Sequence, residues 1–388
     1  MSRLPMPCDR GTTRGPDLTR RRSRVAARVA LAGVGLLTCI VAVISLAAQS
    51  GSTVEHLLTE RLGFSADDLR ALDDGSAVIT SLDTRVRQEL AHVGVVYVDA
   101  PPRDFVAQFR DIERFESGPG IPQIGRFDSP PRLEDLQGLT LPEEDLEALP
   151  ECRPGDCDLK LSADAMGRFR NEVDWSSESA VREANRIARE MILELVLAYQ
   201  ADGNAALGSY ADSDQPLPVA EEFRALLASR DPLPAPVPAL LTYLDDYPYG
   251  CPPGAENFFY WTVVDFGLKP TIRVNHVTIY PLEDGPPRGE PQGDGPPPGE
   301  AYAIAIKQLY ASHYFHTTLE LRFLADHVQR SGRPGASLIS ITRSRNDGMT
   351  GFKGWFLRPI IRRRSRDAVR GYLEHVRRQV EHPAPAAF

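Results

Sequence analysis

The sequence predicts an α+β protein: a curved antiparallel sheet backed by a long C-terminal helix, carrying an inserted all-α block and preceded by one N-terminal transmembrane helix. Three observations carry that expectation. Ala301 to Asp326, AYAIAIKQLYASHYFHTTLELRFLAD, alternates like sheet core: Tyr302, Ile304 and Ile306 share one parity, then Phe315, Leu319, Leu321 and Phe323 share the other. From Ser162 to Tyr247 the period turns helical, with Val181, Ile187, Met191, Leu195 and Tyr199 as a stripe. From about Pro359 the chain ends in a helix with Ile361, Val369, Leu373, Val376 and Val380 on one face and an arginine cluster on the other.

In chain order, residues 1–28 hold eight arginines against Asp9 and Asp17 and read as a cytoplasmic tail. Val29 to Ala48 is twenty residues without a charge, the length of a bilayer crossing. The positive-inside rule keeps the Arg-rich side in the cytoplasm, so the bulk of the chain is expected outside it, as a single-pass envelope protein. The alternative is secretion after cleavage near Ala47 or Ala48. Residues 49–75 form a short helical lead-in, with helices expected at Thr53 to Arg61 and Ala66 to Leu72, the second opened by a Ser65/Asp68 capping box. Ser76 to Leu82 and Val86 to Val98 read as a β-branched hairpin, and Pro101-Pro102 opens a helix placing Phe105, Phe109 and Ile112 on one face.

Val98-Asp99-Ala100-Pro101-Pro102, then Phe105, Phe109 and Asp111-Ile112-Glu113-Arg114-Phe115, resemble the first strand-to-helix passage of the START-like, or polyketide-cyclase-like (SRPBCC), helix-grip superfamily. The resemblance covers residues 76–126 and 248–382 and implies a ligand cavity between the sheet and the C-terminal helix. It carries over no functional residue. The mainly helical stretch 127–247 departs from it as an insertion. Within the later half, Cys157 to Leu161 reads as a strand, Ala255 to Phe266 as an aromatic helix, Thr271 to Tyr280 and Ala336 to Arg345 as strands, and 283–300 as a disordered Pro/Gly loop. The parity change between Tyr310 and Tyr314 means either a bulge in one bent strand or a tight corner between two.

The formal net charge of -9 is unevenly spread. Outside residues 1–28 and 358–378 there are 28 basic and 49 acidic residues, so the body repels phosphate backbones and nucleic acid is not expected as a partner. Cys152 and Cys157 enclose Arg-Pro-Gly-Asp, a turn that brings the thiols together, and outside the cytoplasm this reads as a disulfide. Cys251 is left odd and reads as a small buried hydrophobe.

No G-x-S-x-G elbow, H-E-x-x-H helix or P-loop is present, which removes the common hydrolase, zincin and nucleotide chemistries. The polar groups left on strands are His276, His313, Tyr314 and His316. With Tyr310, Phe315 and Leu319, the three histidines are the candidate ligand-binding residues, since pockets for small molecules are mostly apolar with a few placed polar groups. No catalytic residue, metal or cofactor is assigned. The expected function is a membrane-tethered extracytoplasmic domain binding an apolar small molecule or lipid. The alternatives are an envelope scaffold with a filled core, its helical insertion docking a protein partner, and a cyclase- or hydrolase-like enzyme using the strand histidines. The Arg-rich final helix adds anionic lipid headgroups as a partner, against the plainer reading of a solvated face balanced by the acidic body.

Overall fold

The structure, a computed structural model, describes residues 6–7, 57–84, 86–118, 120–228, 238–265, 267–282, 300–328, 334–347 and 351–382. The apolar segment 29–48 and residues 283–299 lie outside the described residues, and no described helix is long and apolar enough to cross a membrane. After a single π-type turn at Leu57–Arg61, helix α1 (Ala66–Asp73) starts on a full capping box, Ser65 accepting from Asp68 N while the Asp68 carboxylate accepts from Ser65 N.

The sheet is antiparallel throughout. Its strands are β1 (Val78–Leu82), β2 (Glu89–Val98), β3 (Gln123–Arg126), β4 (Glu256–Val264), β5 (Thr271–Leu282), β6 (Ala301–Ala311), β7 (Phe315–Val328) and β8 (Pro334–Asn346). Their order is β4-β5-β6-β7-β8-β2-β1, with β3 and the two-residue strand Met6–Pro7 also pairing with β4. Helices α2 (Pro102–Phe109) and α3 (Ile112–Phe115) follow β2, and the last strand β8 returns to pair with β2 along ten residues.

Both faces of this sheet are covered. On one lie α2, α3 and the C-terminal helix α9 (Gly351–Glu381), enclosing Ile79, Val96, Val98, Phe258, Val277, Ile279, Ile304, Ile306 and Leu338 with Phe105, Phe109, Leu373, Val376 and Val380. On the other lies the helical block, α4 (Glu143–Ala148), α5 (Ala163–Glu172), α6 (Ala180–Asp202), α7 (Val219–Ala228) and α8 (Pro238–Asp246). It packs on Val93, Phe259, Trp261, Ile272, Val274, Ala303, Ala305, Leu319, Leu321 and Ile341.

Several expectations are corrected. Ala255 to Phe266 is not a helix but holds strand β4, because ENFFYWTVV is buried on both faces and shows no polar alternation by which a strand is told from a core helix. Cys157 to Leu161 is no strand: the chain bends at Asp158 and Leu159, and single hydrogen bonds tie it down, Lys160 N to Ser312 O and Ala211 N to Leu161 O. The final helix begins at Gly351, with Pro359 in its interior, where the ring removes one backbone hydrogen bond without ending the helix. On α6 the buried line is Ala184, Ile187, Ala188, Ile192, Val196 and Tyr199, whereas Val181 is 54 % exposed. A corner separates the two runs, since β6 ends at Ala311, Tyr314 turns with φ 61° and β7 starts at Phe315; Leu319 pairs with Lys307 across it, so odd positions keep one face and the two apolar runs lie on opposite faces of the sheet.

Cys152 and Cys157 are disulfide-bonded, S–S 2.07 Å. Cys251 is not a buried hydrophobe: it is half-buried and also disulfide-bonded, to a partner outside the described residues.

Candidate functional site

The strongest concentration of buried chemistry lies between the sheet and the helical block, where β6 delivers Lys307. In AIAIKQLY, Ile304 and Ile306 point to α9, so Ala303, Ala305 and Lys307 point to the block. The small alanines let the block approach, and the lysine side chain enters it, 0 % exposed. Its ammonium meets three acceptors, Tyr199 Oη (3.2 Å), Leu244 O (3.1 Å) and Asn204 Oδ1, and lies 3.9 Å from the centre of the Phe223 ring. Three donors and three acceptors match. Burial pulls the Lys307 amine well below its ordinary range.

Tyr199 links this group to His276. The His276 ring lies with Nε2 2.8 Å from Asn257 Oδ1 and Nδ1 3.3 Å from Tyr199 Oη. The amide oxygen can only accept, so Nε2 carries the proton and Nδ1 accepts from the tyrosine hydroxyl. The network therefore has one direction: Lys307 donates to Tyr199, Tyr199 to His276, and His276 to Asn257, which also accepts from Thr278 Oγ1 at 2.8 Å. Burial, and then the charge of Lys307, holds His276 well below the usual imidazole range and hence neutral. Its ring is packed by Phe259 (4.8 Å) and Tyr247 (4.5 Å), centroid to centroid. The relay is closed at both ends by protein groups, so it fixes how the block seats on the sheet.

The other candidates are dispersed along the same interface. His313 is buried with Nε2 2.7 Å from Asp145 Oδ1 and Nδ1 3.1 Å from Asp158 O. His316 sits between Glu222 (3.2 Å, on α7) and Asp347 (2.5 Å). Asp347 also meets Lys160 at 2.5 Å, Lys160 meets Asp212 at 3.3 Å, and Arg345 meets Glu222 at 2.7 Å. Burial works to lower the His316 imidazole, but hydrogen bonds to the two carboxylates win and raise it. Tyr310 packs against Tyr210, Leu319 is buried under the block, and Phe315 is half-buried beside the Arg273 guanidinium.

His276, Tyr310 and Leu319 thus face the block and not α9, opposite to the expected cavity. The sheet has two buried faces, and parity alone does not say which layer each one meets. Tyr310 and Ser312 do line a cavity with Leu141, Leu159, Ile192 and Ile272, but its volume is about 50 Å³. Among the described residues no group of three or more His, Cys, Asp or Glu is placed to hold a metal ion.

Sequence reasoning missed Lys307, Tyr199 and Asn204. The signal was present in one of them: a lone lysine at an inward parity of an apolar strand must find acceptors or lose its charge. Under α9 a second missed group, Arg322 of β7, is 2 % exposed and lies between the rings of Phe109 (5.2 Å) and Tyr372 (4.8 Å), paired with Glu320 (2.7 Å) and Glu116 (3.3 Å).

No protein-family model, curated protein or solved structure matches this chain.

Proposed function

We propose that the chain is a membrane-tethered extracytoplasmic scaffold, a filled α+β body held at the membrane by residues 29–48 that offers a partner its surface. The observation that carries this is the seat of α9. Leu373, Val376 and Val380 are 0–3 % exposed, and a Cβ added at Gly94 would sit 2.4 Å from Leu373 Cδ1, so helix and sheet are in direct contact where the helix-grip resemblance implies a space. Small-molecule sites run to roughly 300–1,000 Å³, several times the cavity beside Tyr310. The enzyme alternative is weakened by the same packing, since both ring nitrogens of His276, His313 and His316 have protein partners. Apart from β3 and the inserted helical block, the element order, a hairpin, two short helices, a five-strand meander and a long helix, supports helix-grip ancestry without its cavity.

Native mass spectrometry of the full chain released in mild detergent tests the reading. The bare chain mass is expected; a stoichiometric added lipid or apolar mass would return the carrier function. One observation favours a different topology: Met6 pairs with Asn257, which places residues 6–7 and the body on one side, whereas a single crossing at 29–48 separates them. Reporters fused before Met1 and after Phe388 decide it. Tethering requires opposite sides, with the C-terminal reporter extracytoplasmic.

A further inference from the structure

We infer that the N-terminal half of α9 is a membrane-surface helix that docks on anionic phospholipid headgroups. This rests on the tethered reading for its setting, but the helix's own residues carry it. At 31 residues α9 is about 46 Å long, and among its described side chains those seated in the core run from Val369 to Val380. The preceding residues, GFKGWFLRPIIRRRSRDA, combine Trp355, three other large apolar types and six basic positions, the composition of helices that lie in a bilayer interface. Phe352, Phe356 and Ile360 recur every fourth residue, the spacing of one helix line. Ile360 is 54 % exposed, one of few large apolar residues so placed.

Charge points the same way. Residues 351–370 hold seven basic residues against Asp367 alone, on a body whose remainder is strongly acidic. Arg362 is held to Ser81 O (3.3 Å) and Asp83 (3.1 Å), and Arg363 and Arg366 lie 3.9 and 3.7 Å from Asp367. Arg364 and Arg370 are exposed and have no ion-pair partner among the described residues. The acidic body is repelled by an anionic surface and this stripe is attracted, which orients the molecule with α9 toward the lipid.

Geometry allows it. Eight residues, 49–56, separate the apolar segment from Leu57 and reach at most about 28 Å. The lead-in then ends at Gly75, where an added Cβ would lie 2.6 Å from Arg377 Nη1, so its far end meets the seated half of α9.

The test uses the full chain mixed with vesicles of phosphatidylcholine containing brominated acyl chains, with and without one-third phosphatidylglycerol. Flotation in 1 M salt reports the 29–48 segment; quenching of tryptophan fluorescence at 0.1 M salt, wild type against Trp355→Phe, reports α9. Expected is a quenchable component present only with phosphatidylglycerol, absent in Trp355→Phe, and reduced at least threefold in Arg363→Glu/Arg364→Glu. Inorganic phosphate should reduce it no more than chloride of equal ionic strength; selective loss to phosphate would assign the stripe to free anions and overturn the lipid partner. Salt-resistant flotation with equal quenching of wild type and Trp355→Phe overturns the docking helix and leaves the tether. Quenching without salt-resistant flotation keeps the docking helix and removes the tether.

Discussion

His92, on β2, is 1 % exposed, with Nδ1 3.0 Å from Ser81 Oγ, and lies under the arginines of α9. Burial, then Arg362 and Arg366, lower its pKa to about 4. A histidine depressed in the folded state adds stability that is present above its unfolded value near 6.5 and is lost as pH falls toward 4. At 1.36 kcal/mol per unit the loss is at most about 3 kcal/mol. Urea unfolding at pH 7 and pH 4 should show His92→Leu with a shallower pH dependence than wild type; parallel curves would mean the ring is not buried neutral. Lys307→Met keeps the length of the side chain but orphans Asn204 Oδ1 and Leu244 O, so it should cost about 2 to 3 kcal/mol by thermal or urea unfolding. A neutral or stabilising effect would mean the buried amine is an expense the fold could drop, as with some buried ion pairs. Lys307 was legible as a misfit in its strand, but its acceptors come from α6, the turn after it and α8, which no local pattern connects to β6.

Helix α7 is tied to the sheet through Glu222, which His316 and Arg345 share. The raised His316 imidazole stabilises this tie fully below about 6.5 and loses it as pH rises through the higher folded value. The depressed carboxyls of Glu222 and Asp347 act from the other side, losing their share as pH falls through their folded values. Attachment is therefore tightest at mildly acidic to neutral pH. Amide exchange of Val219–Ala228, corrected for intrinsic rates, should be more protected at pH 6 than at pH 9, and His316→Gln should flatten the difference; equal protection in wild type would sink the tie. At this scale the sequence was most legible where one face is polar, in α1 with its capping box, α2 and the seated part of α9. It was least legible in β4, where Phe258 and Tyr260 serve one layer and Phe259 and Trp261 the other. Tyr310 of β6 and Leu319 of β7 do share a layer, but parity does not say that the helical block and not α9 covers it.

For the whole molecule, the three-layer arrangement depends on which segment covers which sheet face, and that is a long-range fact. Glu89 and Arg343 form a buried ion pair, with Nε 2.8 Å from Oε1, across 254 residues of sequence. The β2-β8 register that carries this pair joins the beginning of the body to nearly its end, so the sheet cannot close until almost the whole chain is made. Loop closure of that span is slow and its entropic cost falls before any β2-β8 contact rewards it. A chain halted at residue 330 on the ribosome should accordingly be cut by protease at rates near those of an unfolded chain, while the released protein resists; early resistance would mean the block and meander fold without β8. On the extracytoplasmic reading proposed above, this late closure is a matter of timing: the leading residues would remain linear during transport, and the contacts would tighten only after the tail had followed them through.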